Sequence, residues 1–380
     1  MRWYSGIPQA VKLGNTRRLE GGPDDFGVGI ATSSDSWKLA QRAEELGFTH
    51  AWFFDTQMIT GDCFVAMAAA ALKTSRIRLG TGVLVPSNRI AAVTANAFAT
   101  LNGMAPGRID FGIGTGFSAR RAMGLGAVKL AEMGEYIRVV YGLLNNETVE
   151  TTIEGKRRKI RFLNPEIDLI NTKDPIPLHI SAYGPRSQAL TAKLNAGWKT
   201  FVSDVPGAMA AIESMQQSWQ KAGRAPGDLY ATAWTCGCVL AAGEPLDSPR
   251  AMAQAAPRAA VLLHRAADFD MEGWRNTSPV APEVASEVAG YLEIARHYEP
   301  PDARYLTNHR GHFLFVKPEE RKFVTAELIR RTTFTATEQT LKQRVEALRE
   351  AGWSQLVIAI TPGQEQALED WARIKHAFDR

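Results

Sequence analysis

Short runs made almost wholly of apolar residues recur along the chain. Each is followed by a longer stretch whose apolar positions return at helical spacing. Phe26-Gly-Val-Gly-Ile-Ala31 is the first run, and 37–46 is the helix behind it, with capping groups in Ser33-Ser34-Asp35 and a stop at Gly47. His50-Ala-Trp-Phe-Phe54 is the second, ended by Asp55, and Asp62 stands where it can cap a helix over 64–72. Four more pairs follow: strand 77–84 with helix 91–101, 109–113 with 129–144, 178–181 with 186–195, and 198–202 with 205–222. A seventh strand is expected over 230–240 and an eighth over 355–360, closed by a helix over 364–378. Unbroken apolar strands are covered on both faces, as in parallel sheets. Eight strand–helix units in one chain predict a closed (β/α)8 TIM barrel, with an open doubly wound sheet as the competing arrangement.

Two stretches fall outside this rhythm. Residues 1–25 show no period and read as an N-terminal arm lying on a single domain that covers 26–380. Residues 245–320 hold Ala/Arg-rich helical sequence, then Glu299-Pro-Pro-Asp302, then His309-Arg-Gly-His312. Placed between strands seven and eight, they form an insertion on the catalytic rim of a barrel, where a lid would sit.

Composition narrows the function classes. The chain has 380 residues, 45% of them hydrophobic, enough for a large core. Its 44 basic and 40 acidic residues leave a net charge of +4, which points to neither nucleic acid nor a membrane surface. The one dense basic cluster, Lys156-Arg157-Arg158-Lys159, lies between two short β-like runs and reads as a solvated hairpin. The N-terminus shows no signal-peptide pattern and no apolar stretch approaches spanning length. Of three cysteines, Cys236 and Cys238 are two apart, without C-x-x-C spacing, so a disulfide framework is not expected and a cytoplasmic setting is.

The candidate chemistry gathers at strand ends. Gly112-Ile-Gly-Thr-Gly116 invites a dinucleotide reading, but Phe117 stands where the last glycine of G-x-G-x-x-G belongs, and the unit is the fourth rather than the first. Small residues there serve equally a tight turn or the close approach of a ring or phosphate. Gly80-Thr-Gly-Val83 and Ser181-Ala-Tyr-Gly-Pro185 repeat the pattern, and Pro185-Arg186 opens a helix whose free N–H groups favour a phosphate. Three such ends on one barrel rim point to a flat, phosphate-bearing cofactor. Asp55 can hydrogen-bond a cofactor or move a proton, or it can make a cap or salt bridge. His309 and His312 are acid/base or substrate-binding candidates, with surface-loop histidines as the plain alternative and no third ligand nearby to make a metal site. His179, inside a strand, reads as a core residue. No G-x-S-x-G elbow, Walker loop or H-x-H metal pair is present.

Five ordered segments carry a resemblance: 43–55 (Ala43-Glu-Glu-Leu-Gly-Phe48 into Ala51-Trp-Phe-Phe-Asp55), 77–83, 107–116, 130–144 and 180–185. Together they resemble the bacterial-luciferase-like flavin-dependent oxidoreductases, nearest the methylenetetrahydromethanopterin-reductase-like branch. The resemblance implies a barrel, often a homodimer, holding an isoalloxazine or deazaflavin ring at the C-terminal mouth. It further implies a cofactor contact at Asp55, a non-proline cis peptide between Gly82 and Val83 behind the ring, contacts at Thr115, Gly116 and Ser118, and a phosphate tail along the backbone of Ala182, Tyr183 and Gly184; Thr81 at the strand-three tip and Arg186 at the helix start join them as cofactor-binding candidates. Many relatives have histidine after the strand-two aspartate, where this chain has Thr56, which puts proton transfer at that position in doubt.

The leading expectation is a monooxygenase that oxygenates a small organic substrate with reduced FMN supplied by a separate flavin reductase, because no nicotinamide fingerprint is present. The alternatives are a reductase or dehydrogenase using the deazaflavin coenzyme F420 and a non-catalytic flavin-binding protein.

Overall fold

The computed structural model describes residues 25–273 and 280–379, so the arm expected over 1–25 lies almost wholly outside the described residues. Eight parallel strands close into a barrel: β1 (Asp25–Ile30), β2 (His50–Phe53), β3 (Arg78–Thr81), β4 (Ile109–Ile113), β5 (Leu178–Ser181), β6 (Gly197–Phe201), β7 (Ala231–Thr235) and β8 (Gln355–Ile360). Each pairs with its neighbours in sequence. β8 returns to β1 with Asp25 opposite Gln355 and Ile30 opposite Ile360. The TIM barrel is therefore the fold, and the open sheet is excluded.

Local chemistry explains the elements. The Asp62 side chain accepts from the Phe64 and Val65 N–H groups and starts the helix Cys63–Lys73, while Gly47, at φ +79°, lets the chain turn after the first helix. Strand-to-helix packing buries Phe98 against Phe111, with ring centroids 4.7 Å apart, and Trp353, in the turn before β8, stacks on Trp198 at 4.9 Å.

The barrel interior is filled. Trp52, Trp234 and Val357 form its upper cluster, with Phe54 and Phe201 against them. Below them Asp110 pairs with Arg78 at 2.8 Å and lies 3.3 Å from His179. Burial works against the Asp110 charge, but Arg78 holds the carboxyl well below its ordinary range, and burial keeps His179 neutral. His179 is thus a core residue, its Nε2 on Asp110 and its buried Nδ1 without a hydrogen-bond partner among the described residues.

Two strands end earlier than their apolar runs. β3 stops at Thr81, where the Gly82–Val83 peptide is cis, and the chain rejoins β4 only through a bridge between Leu84 and Ile113. β7 stops at Thr235. A Cβ on Gly237 would lie 2.7 Å from the Phe334 and Thr335 backbone, and Val239–Leu240 pairs with Ala336–Thr337 instead. A close backbone crossing, invisible in a hydropathy pattern, divides that run. The basic cluster lies in an antiparallel hairpin, Val149–Ile153 with Lys156–Ile160, with the four basic side chains exposed.

Between β7 and β8 lies a helical unit built on the 24-residue helix Pro249–Glu272, with Ala285–Ala295, Arg304–His309 and Ala326–Thr332 around it. Its alanines (Ala255, Ala256, Ala259, Ala260) let neighbours approach closely and, with Leu263, Val288, Tyr291 and Leu328, form a core separate from the barrel's. The helical run extends to Thr332, past residue 320. Among the described residues no helix is long and apolar enough to cross a membrane, and the three cysteines are buried free thiols.

Candidate active site

The helical unit seats on the C-terminal ends of the strands. Phe313 meets Phe54 after β2 and Phe201 at the end of β6, with ring centroids 6.1 and 5.7 Å apart, and both of those rings meet Trp234 of β7, at 6.0 and 5.7 Å. Four aromatic rings thus form a closed circuit over the mouth. The Arg258 guanidinium lies over Phe201 and Phe313, at 4.7 and 5.6 Å from the ring centres. Phe313 has φ 67°, a left-handed backbone uncommon for a bulky residue, inside a turn closed by His312 N–H to His309 O and Leu314 N–H to Gly311 O. That turn aims Phe313 at the barrel.

The sequence candidates gather around this mouth in distinct ways. Asp55 is buried and hydrogen-bonded through both carboxylate oxygens. It accepts from the Val85 backbone N–H at 3.0 Å, from Asn88 Nδ2 at 3.1 Å and from Arg89 Nη1 at 2.9 Å. Its carboxylate therefore pins the loop that follows the cis Gly82–Val83 peptide. The Thr81 hydroxyl is spent across the sheet, donating to Gly112 O at 2.6 Å and accepting from Gly112 N at 3.1 Å. The glycines of these tips are packing requirements. A Cβ on Gly112 would lie 2.0 Å from Thr81 O, one on Gly82 2.8 Å from Trp234, and one on Gly114 2.8 Å from Val83. Gly116, at φ +83°, turns the chain into the short helix Phe117–Arg121.

On the β5 side, Ala182 is buried and its carbonyl accepts from Trp198 Nε1 at 2.7 Å, while Tyr183 is 65% exposed. Gly184 precedes the helix Pro185–Lys193, and the Ser187 hydroxyl meets the Gly184 N–H at 3.2 Å. Arg186 is exposed on the first turn. Facing this tip from the helix Pro249–Glu272 are Arg258 and Arg265, one heptad apart. Burial lowers both guanidinium groups below their ordinary value, each also feels Tyr183, and Arg265 is lowered further by Arg258. Among the described residues neither has a carboxylate partner. Two half-buried cations without anions, beside a helix N-terminus, fit a ligand with a phosphate or carboxylate tail.

His309 and His312 are buried and lead inward. His309 Nε2 meets Asp268 Oδ1 at 2.9 Å, and Asp268 Oδ2 pairs with Arg121 at 3.1 Å. His312 Nε2 lies 2.9 Å from Ser118 Oγ and its Nδ1 2.9 Å from His264 Nδ1. His264 Nε2 in turn meets Glu320 at 2.9 Å. His264, Asp268 and Glu320 were not among the sequence candidates. The available signal was His264 and Asp268 four apart in an alanine-rich helix, a spacing that puts both on one buried face. Among the described residues no cluster has metal-site geometry. A cleft of about 340 Å³ lined by Asp25, Glu44, His50 and Arg78 lies at the other end of the barrel, the end associated with stability rather than chemistry.

Residues 24–355 match the family described as luciferase-like monooxygenase. The 5,10-methylenetetrahydromethanopterin reductase of Methanolobus tindarius is 25% identical over 351 residues, covering 90% of this chain and 97% of that one. The F420-dependent glucose-6-phosphate dehydrogenase of Beutenbergia cavernae is 34% identical over 140 residues, 35% of this chain and 40% of that one. Among solved structures, the coenzyme F420 dependent tetrahydromethanopterin reductase of Methanopyrus kandleri superposes with a TM-score of 0.64 at 21% identity, covering 94% of this chain and 99% of that one, a likeness of fold.

Proposed function

The chain belongs to the luciferase-like monooxygenase family, and from that membership we propose that it is a deazaflavin-dependent reductase or dehydrogenase that exchanges a hydride with a small organic substrate. Similarity to a methylenetetrahydromethanopterin reductase over nearly the whole of both chains carries this reading, ahead of the FMN-dependent oxygenation expected from sequence. A second relative whose name states F420 dependence supports it.

Bound at the mouth, a deazaflavin supplies hydride chemistry. This chain's own residues do the rest. Val83 and the aromatic circuit of Phe54, Phe201, Trp234 and Phe313 supply apolar surface for a planar ring. Arg258, Arg265 and the Gly184–Pro185 helix start receive the anionic tail. Asp55 holds the Val85–Arg89 loop in place. The helical unit over the mouth excludes water.

The test is an anaerobic spectroscopic titration with F420 and, separately, with reduced FMN, followed by admission of oxygen. Saturable F420 binding, at least tenfold tighter than FMN, with no oxygen uptake is expected. Tighter binding of reduced FMN with oxygen consumption would return the protein to the monooxygenase reading, and binding of neither would remove both.

A further inference from the structure

The side chains behind His312 form an ordered chain whose hydrogens can be placed by elimination. The Glu320 carboxylate accepts the Lys317 backbone N–H at 2.8 Å and lies 3.3 Å from the Lys317 ammonium. Although burial opposes its charge, His264 and Lys317 hold it below the ordinary carboxyl range, so it is ionised and only accepts. His264 Nε2, 2.9 Å away, therefore carries a hydrogen. Burial keeps His264 neutral, which leaves its Nδ1 bare. His312 Nδ1, 2.9 Å from that atom, must then donate to it. His312 is also neutral: it is buried, and His309, His264, Arg258 and Lys317 face it with positive or protonatable groups. Its Nε2 is consequently an acceptor, and the Ser118 hydroxyl, 2.9 Å away, donates to it. Ser118 is half-buried at the rim, one turn after β4, and His312 precedes Phe313 of the aromatic circuit.

We propose that Ser118, His312, His264 and Glu320 are a proton relay serving a substrate alcohol and its carbonyl product, an inference that rests on the hydride-transfer reading above. Removing a hydride from carbon leaves a proton to be removed only when the neighbouring atom is a hydroxyl or an amine, and Ser118 offers a free lone pair suited to accept from an O–H. The substrate O–H bond breaks toward Ser118 Oγ, and the serine proton passes to His312 Nε2. The His312 Nδ1 proton passes to His264 Nδ1, and the His264 Nε2 proton passes to Glu320. The C–H electron pair leaves with its hydrogen to the deazaflavin oxidant, and the C=O bond forms. Both imidazoles end neutral with their tautomers exchanged, and one carboxylate is neutralised, so no imidazolium is stranded in the buried site. Ser118 is the catalytic residue. His312, His264 and Glu320 act through it.

Two measurements decide the matter. Nitrogen-15 NMR of the histidine rings in the full-length protein, without cofactor, should show His312 protonated on Nδ1 and bare on Nε2, and His264 the reverse. Protonation of His312 on Nε2 overturns the relay. With F420 saturating and secondary alcohols from 2-propanol to cyclohexanol as probes, Ser118→Ala should lower kcat by about a hundredfold. Ser118→Thr should restore much of the rate, and Glu320→Gln should reduce the solvent isotope effect on kcat. Equal rates for wild type and Ser118→Ala overturn the relay while the hydride reading survives. Wild-type protein that binds F420 but oxidises none of these alcohols overturns the alcohol assignment, and failure to bind F420 is failure of the underlying reading.

Discussion

Asp55 shows how a residue's position can be read from sequence while its partners cannot. A carboxylate at the end of a barrel strand reads as chemistry, and here it accepts hydrogen bonds from Val85, Asn88 and Arg89. Asp55→Ala should cost about 2 kcal/mol by leaving the buried Val85 N–H and the Asn88 amide without this acceptor, while Arg89 keeps its pairing with Asp62, measured by denaturant unfolding, and should weaken cofactor binding through the freed loop. Unchanged stability would mean that the 85–89 loop does not depend on Asp55. Gly112 is a sharper case. A methyl group there meets the Thr81 carbonyl at 2.0 Å, so Gly112→Ala should destabilise by about 3 kcal/mol or prevent folding. A soluble variant with native stability would refute the packing reason for that glycine. The residues missed from sequence share one cause. Glu320 sits in Lys317-Pro-Glu-Glu-Arg321, a charge run that looks solvated, and only the folded unit reveals that its side chain is wholly buried against His264.

At the scale of elements, all eight barrel strands were readable, because a strand covered on both faces writes an unbroken apolar run. The ends of β3 and β7 were not, because tertiary approaches at Gly82 and Gly237 divide runs that hydropathy leaves whole. The helices of the 249–332 region were legible only as composition. Their contact with the barrel mouth depends on Phe313, His312 and Arg258, single residues with no periodicity to announce them. This unit should be one acid-sensitive part of the molecule, alongside the end of the barrel that buries His50 and His179. His264 and His312 are held neutral inside it, with folded values below the ordinary 6.5, whereas the unfolded chain takes up protons near 6.5. The unfolded state then binds more protons as pH falls, so stability present above about pH 6.5 is lost below it. Hydrogen exchange, corrected for intrinsic rates, should show amides of 249–332 losing protection between pH 7.5 and 5.5 earlier than β1 and β8, which carry no histidine. Uniform loss across the chain would contradict this assignment.

At the scale of the whole molecule, one closed barrel presents two ends with different chemistry. The N-terminal end carries the Arg78–Asp110–His179 group and the Asp25–Glu44 cleft, where ion pairs satisfy buried charge. The C-terminal end gathers the glycine-bearing tips, the aromatic circuit and two guanidinium groups without described carboxylate partners. The fold and the end of the barrel that bears the site follow from the repeated strand–helix pattern. The choice between flavin and deazaflavin does not, because both rings ask for the same flat apolar surface and an anionic tail site. The most direct measurement is a crystal structure of the complex with oxidised F420. The deazaflavin ring is expected against Val83 beneath the Phe313 side of the aromatic circuit, with its phosphate near Gly184 and within reach of Arg258 or Arg265. Density for the cofactor in the Asp25–Arg78 cleft, or on the outer helices, would contradict the account.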